Sequence, residues 1–419
     1  MFSFPRAGCV ETGKTGHAYV FDSMSGESYI FIRNLAVGAQ SKVQLVANIS
    51  THEIVVRKVS KKKLPLSDVS ELSSVPKDRE VLMLDCLDLI MRSRPSPANT
   101  ITPRWASYLH HENIPTMSGG PRPRLECTQV SYWKLYNCGD LADLVRVWRS
   151  GSVGQGRDTP FPVSFVARCI AQVCETLHVM YQAGPQAIYH CDLHLGNVFV
   201  HFDPNSGDGS ELPDFYIGDF GWARTAGEAL ADGVAQYGSG TTPFGPWSER
   251  PPGFETPPSP PPGTAPPGQR RRWDVERFGT GLESFLRLAF PATGPFTPPN
   301  QPPPSEQAHG LQRLMMMMSF MDSQEQTLAA RNPHSHPPSL EEVVREAKIL
   351  EKAALAVERL TIEFTALLLM LESWAEKITQ GGPYVFTGDL GLSSEMRKAQ
   401  AENYGNNNID GPWSLTDSV

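Results

Sequence analysis

Two short stretches carry the residue types that phosphate chemistry needs. Ala187-Ile188-Tyr189-His190-Cys191-Asp192-Leu193-His194-Leu195-Gly196-Asn197-Val198-Phe199-Val200 supplies a carboxylate at Asp192 and a carboxamide five positions on at Asn197, and ends in an apolar, strand-like run. Ile217-Gly218-Asp219-Phe220-Gly221 then supplies a second carboxylate in a glycine-flanked turn. Phosphoryl transfer leaves little covalent work to a protein. A hydroxyl must be oriented against the γ-phosphate, and Mg²⁺ must be held across the phosphates. One carboxylate can do the first; a second carboxylate and a carboxamide can do the second.

Asp-Phe-Gly alone is a common turn tripeptide, and His-x-Asp alone specifies nothing. In this order, with a β-like run between them, the two are specific. They resemble the protein kinase family, whose catalytic loop reads His-Arg-Asp-x-x-x-x-Asn and whose metal loop reads Asp-Phe-Gly. The resemblance implies that Asp192 is the catalytic base, Asn197 a Mg²⁺ ligand and Asp219 the principal Mg²⁺ ligand. It also implies a bilobal, protein-kinase-like α+β fold with ATP in the cleft. The N-terminal lobe would be a small antiparallel β-sheet with one helix, and the C-terminal lobe larger and mainly helical.

The elements that must position these groups lie on both sides of them. Residues 27–59 alternate apolar and polar in strand fashion, with β-branched and aromatic enrichment. Within them Leu35 to Val46 resembles a degenerate kinase glycine-rich loop: Gly38 stands for the middle glycine, Val43 keeps the valine place, and Ala36 and Ser41 replace the outer glycines. Fifteen positions after Val43, Lys58 closes a strand similar to the family's Val-Ala-Ile-Lys, which implies a cation bridging the α and β phosphates. Its partner should be a glutamate on the next helix. Glu80 opens a run in which Val81, Leu84 and Leu87 share a helical face. Glu71 is the alternative, separated from that run by Pro76.

A second phosphate-type pattern is a decoy. Gly8-Cys9-Val10-Glu11-Thr12-Gly13-Lys14-Thr15 matches the P-loop, but that motif works only between a buried strand and a helix. The residues after it, Tyr19-Val20-Phe21 and then Ser25-Gly26, read as strand and turn.

Downstream, residues 92–104 look like an insertion. His111-Glu112-Asn113-Ile114 is similar to the His-x-Asn-Ile found where the family leaves its N-lobe helix for the next strand. Leu125 to Tyr136 read as a strand, and Asn137 to Leu144 as hinge, turn and short helix. Val163 to Tyr181 give a buried helix feeding the catalytic loop. Trp273-Asp274-Val275-Glu276-Arg277-Phe278-Gly279 resembles the family's Asp-x-x-Ser-x-Gly helix, which implies that Asp274 accepts backbone donors from the catalytic loop. Ser339 caps the last helix of the core, and the helical pattern continues to about Lys377. The methionine-rich run Leu314 to Met318 reads as adaptable core.

Several positions depart from the family pattern. Cys191 stands where many kinases carry arginine, so a phosphorylated activation loop would lack its anchor; phosphate at Ser239, Thr241 or Thr242 is expected to leave turnover unchanged. His194 replaces the usual lysine and matches the His-x-Asp-x-His-x-x-Asn often read in small-molecule phosphotransferases similar to aminoglycoside and choline kinases. Histidine can donate to phosphate but is mostly neutral at pH 7. Gly238 to Gly245 resembles the Gly-Thr part of an activation segment. The Ala-Pro-Glu expected beyond it is replaced by proline-rich sequence, and its arginine partner by Pro337 or Pro338.

Composition bounds the partners. With 419 residues, 40% hydrophobic and 20% charged, the chain can bury a large core. A net charge of −8 argues against a dedicated nucleic-acid binder, Lys61-Lys62-Lys63 being read as solvated lysines. The seven cysteines form no metal-type pair and fit a reducing compartment. No signal-peptide core opens the sequence, and the longest apolar run, Ala366 to Leu371, is too short to span a bilayer. The expectation is an intracellular protein, cytoplasmic or nuclear, with no nucleic-acid or membrane partner.

The expected organisation is an N-terminal extension over 1–26, a kinase N-lobe over 27–136 and a C-lobe over 137–350 with proline-rich inserts at 251–268 and 291–304. Beyond these come a helical extension over 351–380 and a polar tail over 381–419. The first functional reading is an ATP- and Mg²⁺-dependent serine/threonine protein kinase. In it Asp192, Lys58, Glu80 and His194 form the catalytic set, and Gly38, Val43, Lys58, Asn197 and Asp219 bind the nucleotide. The alternatives are a small-molecule phosphotransferase on the same fold and a catalytically weak pseudokinase scaffold.

Overall fold

The computed structural model describes residues 8–11, 17–37, 41–93, 103–117, 124–149, 161–182, 187–204, 211–225, 228, 274, 278–279, 281–282, 306–327 and 338–379. Gly38, Ser239, Thr241, Thr242 and both proline-rich inserts lie outside them, as does everything from residue 380 on. The chain divides into two compact units. One is drawn from Met1–Val81, Ser107–Leu135 and Ala375–Val419, the other from Leu82–Ala106 and Tyr136–Trp374.

The first unit is a sheet of β1 (Gly8–Glu11), β2 (His17–Asp22), β3 (Ser28–Val37), β4 (Ser41–Asn48), β5 (Ile54–Pro65), β6 (Tyr108–Met117) and β7 (Leu125–Lys134). The strands are antiparallel in the order β1-β2-β3-β4-β5-β7-β6. Gly8 to Glu11 pair with Val20 to His17, so the described part of the P-loop pattern is one arm of a hairpin. The His111 to Ile114 motif falls inside β6 rather than at a helix exit. Helix α1 (Arg79–Ser93) begins in this unit and crosses its boundary after Val81.

Alternation gives this sheet two apolar faces. Ile30, Ile32, Leu45 and Ala47 cluster on one, and Tyr29, Val46, Val55, Val130 and Tyr132 on the other. Val43 and Lys58 are direct cross-strand partners, and Val43, two residues from Leu45, shares the Leu45 face. The neighbouring cation, Arg57, points the opposite way. It lies 4.0 Å from the centroid of the Phe21 ring and donates to Gln44 Oε1 at 2.7 Å and to the Tyr132 hydroxyl at 3.3 Å. A buried guanidinium satisfied in this manner is structural.

In the second unit, α2 (Leu141–Arg149) and α3 (Val163–Tyr181) precede the short strands β8 (Ile188–Tyr189), β9 (Val198–His201), β10 (Asp214–Ile217) and β11 (Arg224–Thr225). After these come helices α4 (Glu306–Thr327), α5 (Leu340–Glu358) and α6 (Ile362–Thr379), the last of which leaves this unit after Trp374. By length and composition α3 could cross a membrane, but only Arg168 and His178 escape burial along it, which identifies it as a core helix. Leu314, Met315 and Met318 of α4 are buried as core, whereas Met316 faces outward.

A polar ladder ties α5 to α3. His178 meets Glu341 at 3.1 Å, Glu175 meets Lys348 at 2.9 Å and Arg168 meets Glu351 at 3.0 Å. At the far end Glu358 accepts from the amides of Val163 and Ser164 at 2.6 and 2.9 Å, so a carboxylate from another helix caps an α3 N-terminus whose own N-cap is Pro162.

The unbroken pattern from Ser339 to Lys377 predicts one helix, and two form. Ser339 caps α5 with a full capping box, as its type predicts. At the far end Thr361 donates to Glu358 O through its backbone at 2.7 Å and its hydroxyl at 2.9 Å, then accepts from Phe364 N at 3.2 Å. A threonine that caps the next helix ends the previous one. The chain turns, and Phe364, Leu367 and Leu371 are buried.

Candidate active site

The catalytic-loop candidates hang on one buried carboxylate. Asp274, in helical backbone and fully buried, accepts from His190 N at 2.7 Å, Cys191 N at 2.8 Å and the Tyr181 hydroxyl at 3.0 Å. Burial, then the Asp274 charge, hold the Tyr181 phenol well above its ordinary range, so it stays a donor. The two backbone donors turn the loop at Cys191, whose φ of 64° is a left-handed conformation costly for a non-glycine residue. Asp192 comes directly out of that turn.

Asp192 N donates to His190 Nδ1 at 3.3 Å, which leaves Nε2 of His190 to donate to the Gly218 carbonyl at 2.9 Å. From the other side Gly218 N donates to the Asn197 carbonyl at 2.9 Å. Gly218, just before Asp219, is therefore gripped through both its carbonyl and its amide, by His190 at one end of the loop and Asn197 at the other. Only glycine fits there: a Cβ on Gly218 would lie 2.3 Å from the Phe199 ring. Asp219 itself is left-handed at φ 59°, and the buried Phe220 ring sits 4.9 Å from that of His190.

Asn197 donates its Nδ2 to the Asp192 carbonyl at 2.8 Å, which orients the carboxamide and makes Oδ1 the atom it offers to a cation. An amide oxygen and the Asp219 carboxylate are hard donors of the kind Mg²⁺ takes alongside phosphate oxygens. Among the described residues no three His, Cys, Asp or Glu side chains gather as a metal site; an amide oxygen and one carboxylate would need phosphate oxygens to complete a Mg²⁺ shell. His194 Nε2 lies 3.9 Å from Asp192 Oδ2.

In the sheet unit Lys58 Nζ meets Glu80 Oε2 at 2.5 Å, and Glu80 is buried in the first turn of α1. Glu71, the alternative partner, instead lies in a 3₁₀ turn over Val69–Ser74, where it accepts from Ser67 N at 2.9 Å. Tyr181 and Gly218 are the site residues that sequence reading passed over. Gly218 was visible beside Asp219 in the motif; nothing in the sequence tied a tyrosine ending α3 to an aspartate ninety-three residues on.

One carboxylate beside the loop titrates near neutrality. Burial first, and the Asp143 charge second, push Asp140 from 3.8 up to about 7. An acid whose folded pKa exceeds its unfolded one binds its proton more tightly in the native state. Stability is then greatest below about 4, falls as pH rises toward about 7 and levels off above. Native protein should lose on the order of a few kcal/mol across that window relative to Asp140→Asn. Urea denaturation of both proteins from pH 4 to 8 checks this; parallel curves would refute it.

No family model matches the chain, and no curated protein does. Among solved structures it is similar to a crystal structure of the BubR1 kinase domain, with 14% identity, a TM-score of 0.48, and coverage of 88% of this chain and 90% of that one. The class that the chain's own element order and its two coupled loops define is an α+β kinase-like fold.

Proposed function

We propose that the chain is an ATP-dependent protein kinase that transfers the γ-phosphate to serine or threonine hydroxyls of protein substrates. The observation that carries this reading is the double grip on Gly218, which couples the loop of Asp192 and Asn197 to that of Asp219. A fold that needed these carboxylates only for stability would have no reason to hold one in left-handed backbone and tie it to the loop of the other.

In this reading Asp192 accepts the proton of the attacking hydroxyl. The hydroxyl oxygen bonds to the γ-phosphorus, the bond to the β–γ bridging oxygen breaks, and ADP leaves with that electron pair. Asn197 Oδ1 and the Asp219 carboxylate would hold Mg²⁺, which would neutralise phosphate charge. Lys58, oriented by Glu80, positions the α and β phosphates, with Gly38 and Val43 covering the nucleotide. Cys127, Cys169 and Cys174 are buried thiols outside any disulfide, which supports a reducing, intracellular setting.

His194 beside Asp192 favours a second reading, a small-molecule phosphotransferase. The deciding experiment is ATP turnover by the purified full chain against Asp192→Ala, with generic protein substrates and a panel of amino alcohols as acceptors. Loss of a general base should cut turnover about 10²- to 10⁴-fold. Equal turnover in both proteins ends the enzyme reading, and transfer to an amino alcohol alone selects the second.

A further inference from the structure

We infer that Gly196 is a positioning residue: its amide fixes His194 as the Nε2–H tautomer, so that His194 and Asp192 form a donor–acceptor cradle for the hydroxyl that receives phosphate. The inference deepens the kinase reading and rests on it for the identity of the hydroxyl; the tautomer lock stands on geometry alone.

Gly196 N donates to His194 Nδ1 at 3.1 Å. An imidazole nitrogen that accepts a hydrogen bond carries no proton, so the proton of the neutral ring is on Nε2. That nitrogen faces Asp192 Oδ2 across 3.9 Å. The gap is too long for a hydrogen bond and too short to be unrelated. One oxygen about 2.8 Å from each atom spans it, accepting from Nε2–H and donating its own proton to Oδ2. A hydroxyl or a water has that combination; a phosphate oxygen without a proton does not. The proton that must leave during transfer is thereby aimed at the carboxylate that takes it, and a lone pair on the oxygen remains for the γ-phosphorus.

The absence of a side chain at position 196 is part of the device. A Cβ there would lie 3.0 Å from His194 Cε1 and 3.1 Å from Nδ1, forcing the ring from its place. Exposure is graded to suit an incoming group, with the His194 side chain 34% accessible and that of Asp192 only 7%. A donor that carries no charge in this tautomer does here what a lysine ammonium would do as a point charge, with a fixed direction in place of long-range attraction.

The test has a spectroscopic and a kinetic arm. Long-range ¹⁵N–¹H correlation on the full chain labelled at histidine reports which ring nitrogen is protonated, and loss of one ring's signals in His194→Gln assigns His194. The expected pattern is a protonated Nε2 and a bare Nδ1; a protonated Nδ1 overturns the lock. In Mg-ATP hydrolysis, with water as the acceptor, His194→Gln keeps a donor near the Nε2 position and His194→Asn does not. The asparagine variant should be slower in kcat by at least about tenfold than the glutamine variant, with KM for ATP alike. Equal losses in both overturn the cradle. If the wild type shows no turnover, the kinase reading fails while the spectrum still decides the lock, so the two failures are distinguishable.

Discussion

Asp274→Ala should cost more stability than removing any apolar side chain of similar size. Its carboxylate takes three hydrogen bonds, two from the loop amides of His190 and Cys191 and one from the Tyr181 hydroxyl, with the aspartate fully buried. Truncation leaves all three donors facing a cavity. Each buried donor stripped of its partner costs about 1–3 kcal/mol, and the left-handed Cys191 loses the two bonds that offset its strain. The sum, roughly 3–9 kcal/mol, is a large part of the 5–15 kcal/mol that holds an ordinary domain folded. Chemical denaturation with circular dichroism measures it. Tyr181→Phe is the control: it deletes one donor, spares the loop amides, and should cost about 1 kcal/mol. A loss below 1 kcal/mol for Asp274→Ala would mean that water or rearrangement replaces the carboxylate, and that the loop is not hung from it.

How far this arrangement could be read from sequence depends on the range of the interaction. Helix α3 was legible end to end because a buried helix writes a dense apolar pattern. The capping of α5 by Ser339 was legible because its hydrogen-bond partner is three residues away. Asp274 was placed through its motif, since the family resemblance names its donors in advance. Glu80 was chosen over Glu71 because it opens the apolar helical run of Val81, Leu84 and Leu87, from which Pro76 separates Glu71, and Glu80 is the carboxylate that meets Lys58. The break after Glu358 was missed because Thr361 is tolerable within a helix by composition, and only packing of Phe364, Leu367 and Leu371 makes the turn worthwhile. The α3–α5 ladder left no sequence signal, for its members lie more than a hundred and sixty residues apart. It also bears on the missing Ala-Pro-Glu and its arginine. With Glu351 on Arg168, Lys348 on Glu175 and Glu358 on the α3 amides, α5 has anchors of its own.

The second large effect expected is on metal and nucleotide. Asp219→Asn changes one oxygen to an NH₂ group, keeps the side-chain volume, and suits the left-handed backbone at φ 59°, since asparagine is among the residues that tolerate it best. The neighbouring grip on Gly218 uses backbone atoms and the His190 ring and is untouched. Fold and loop geometry should therefore persist, with a denaturation midpoint close to that of the wild type. In the proposed reading what is lost is a hard anionic ligand, and Asn197 Oδ1 alone would not hold Mg²⁺ against water. Even outer-shell changes at metal sites cost 10- to 100-fold in affinity, so loss of the ligand itself should weaken Mg-ATP binding by at least about 100-fold. Thermal shift and calorimetry with ATP, with and without Mg²⁺, give the measurement. The wild type should show a stabilisation that requires the metal, and Asp219→Asn should not. Metal-dependent stabilisation of equal size in both would place the cation elsewhere, and with it would go the assignment of Asp219 and the catalytic scheme built around it.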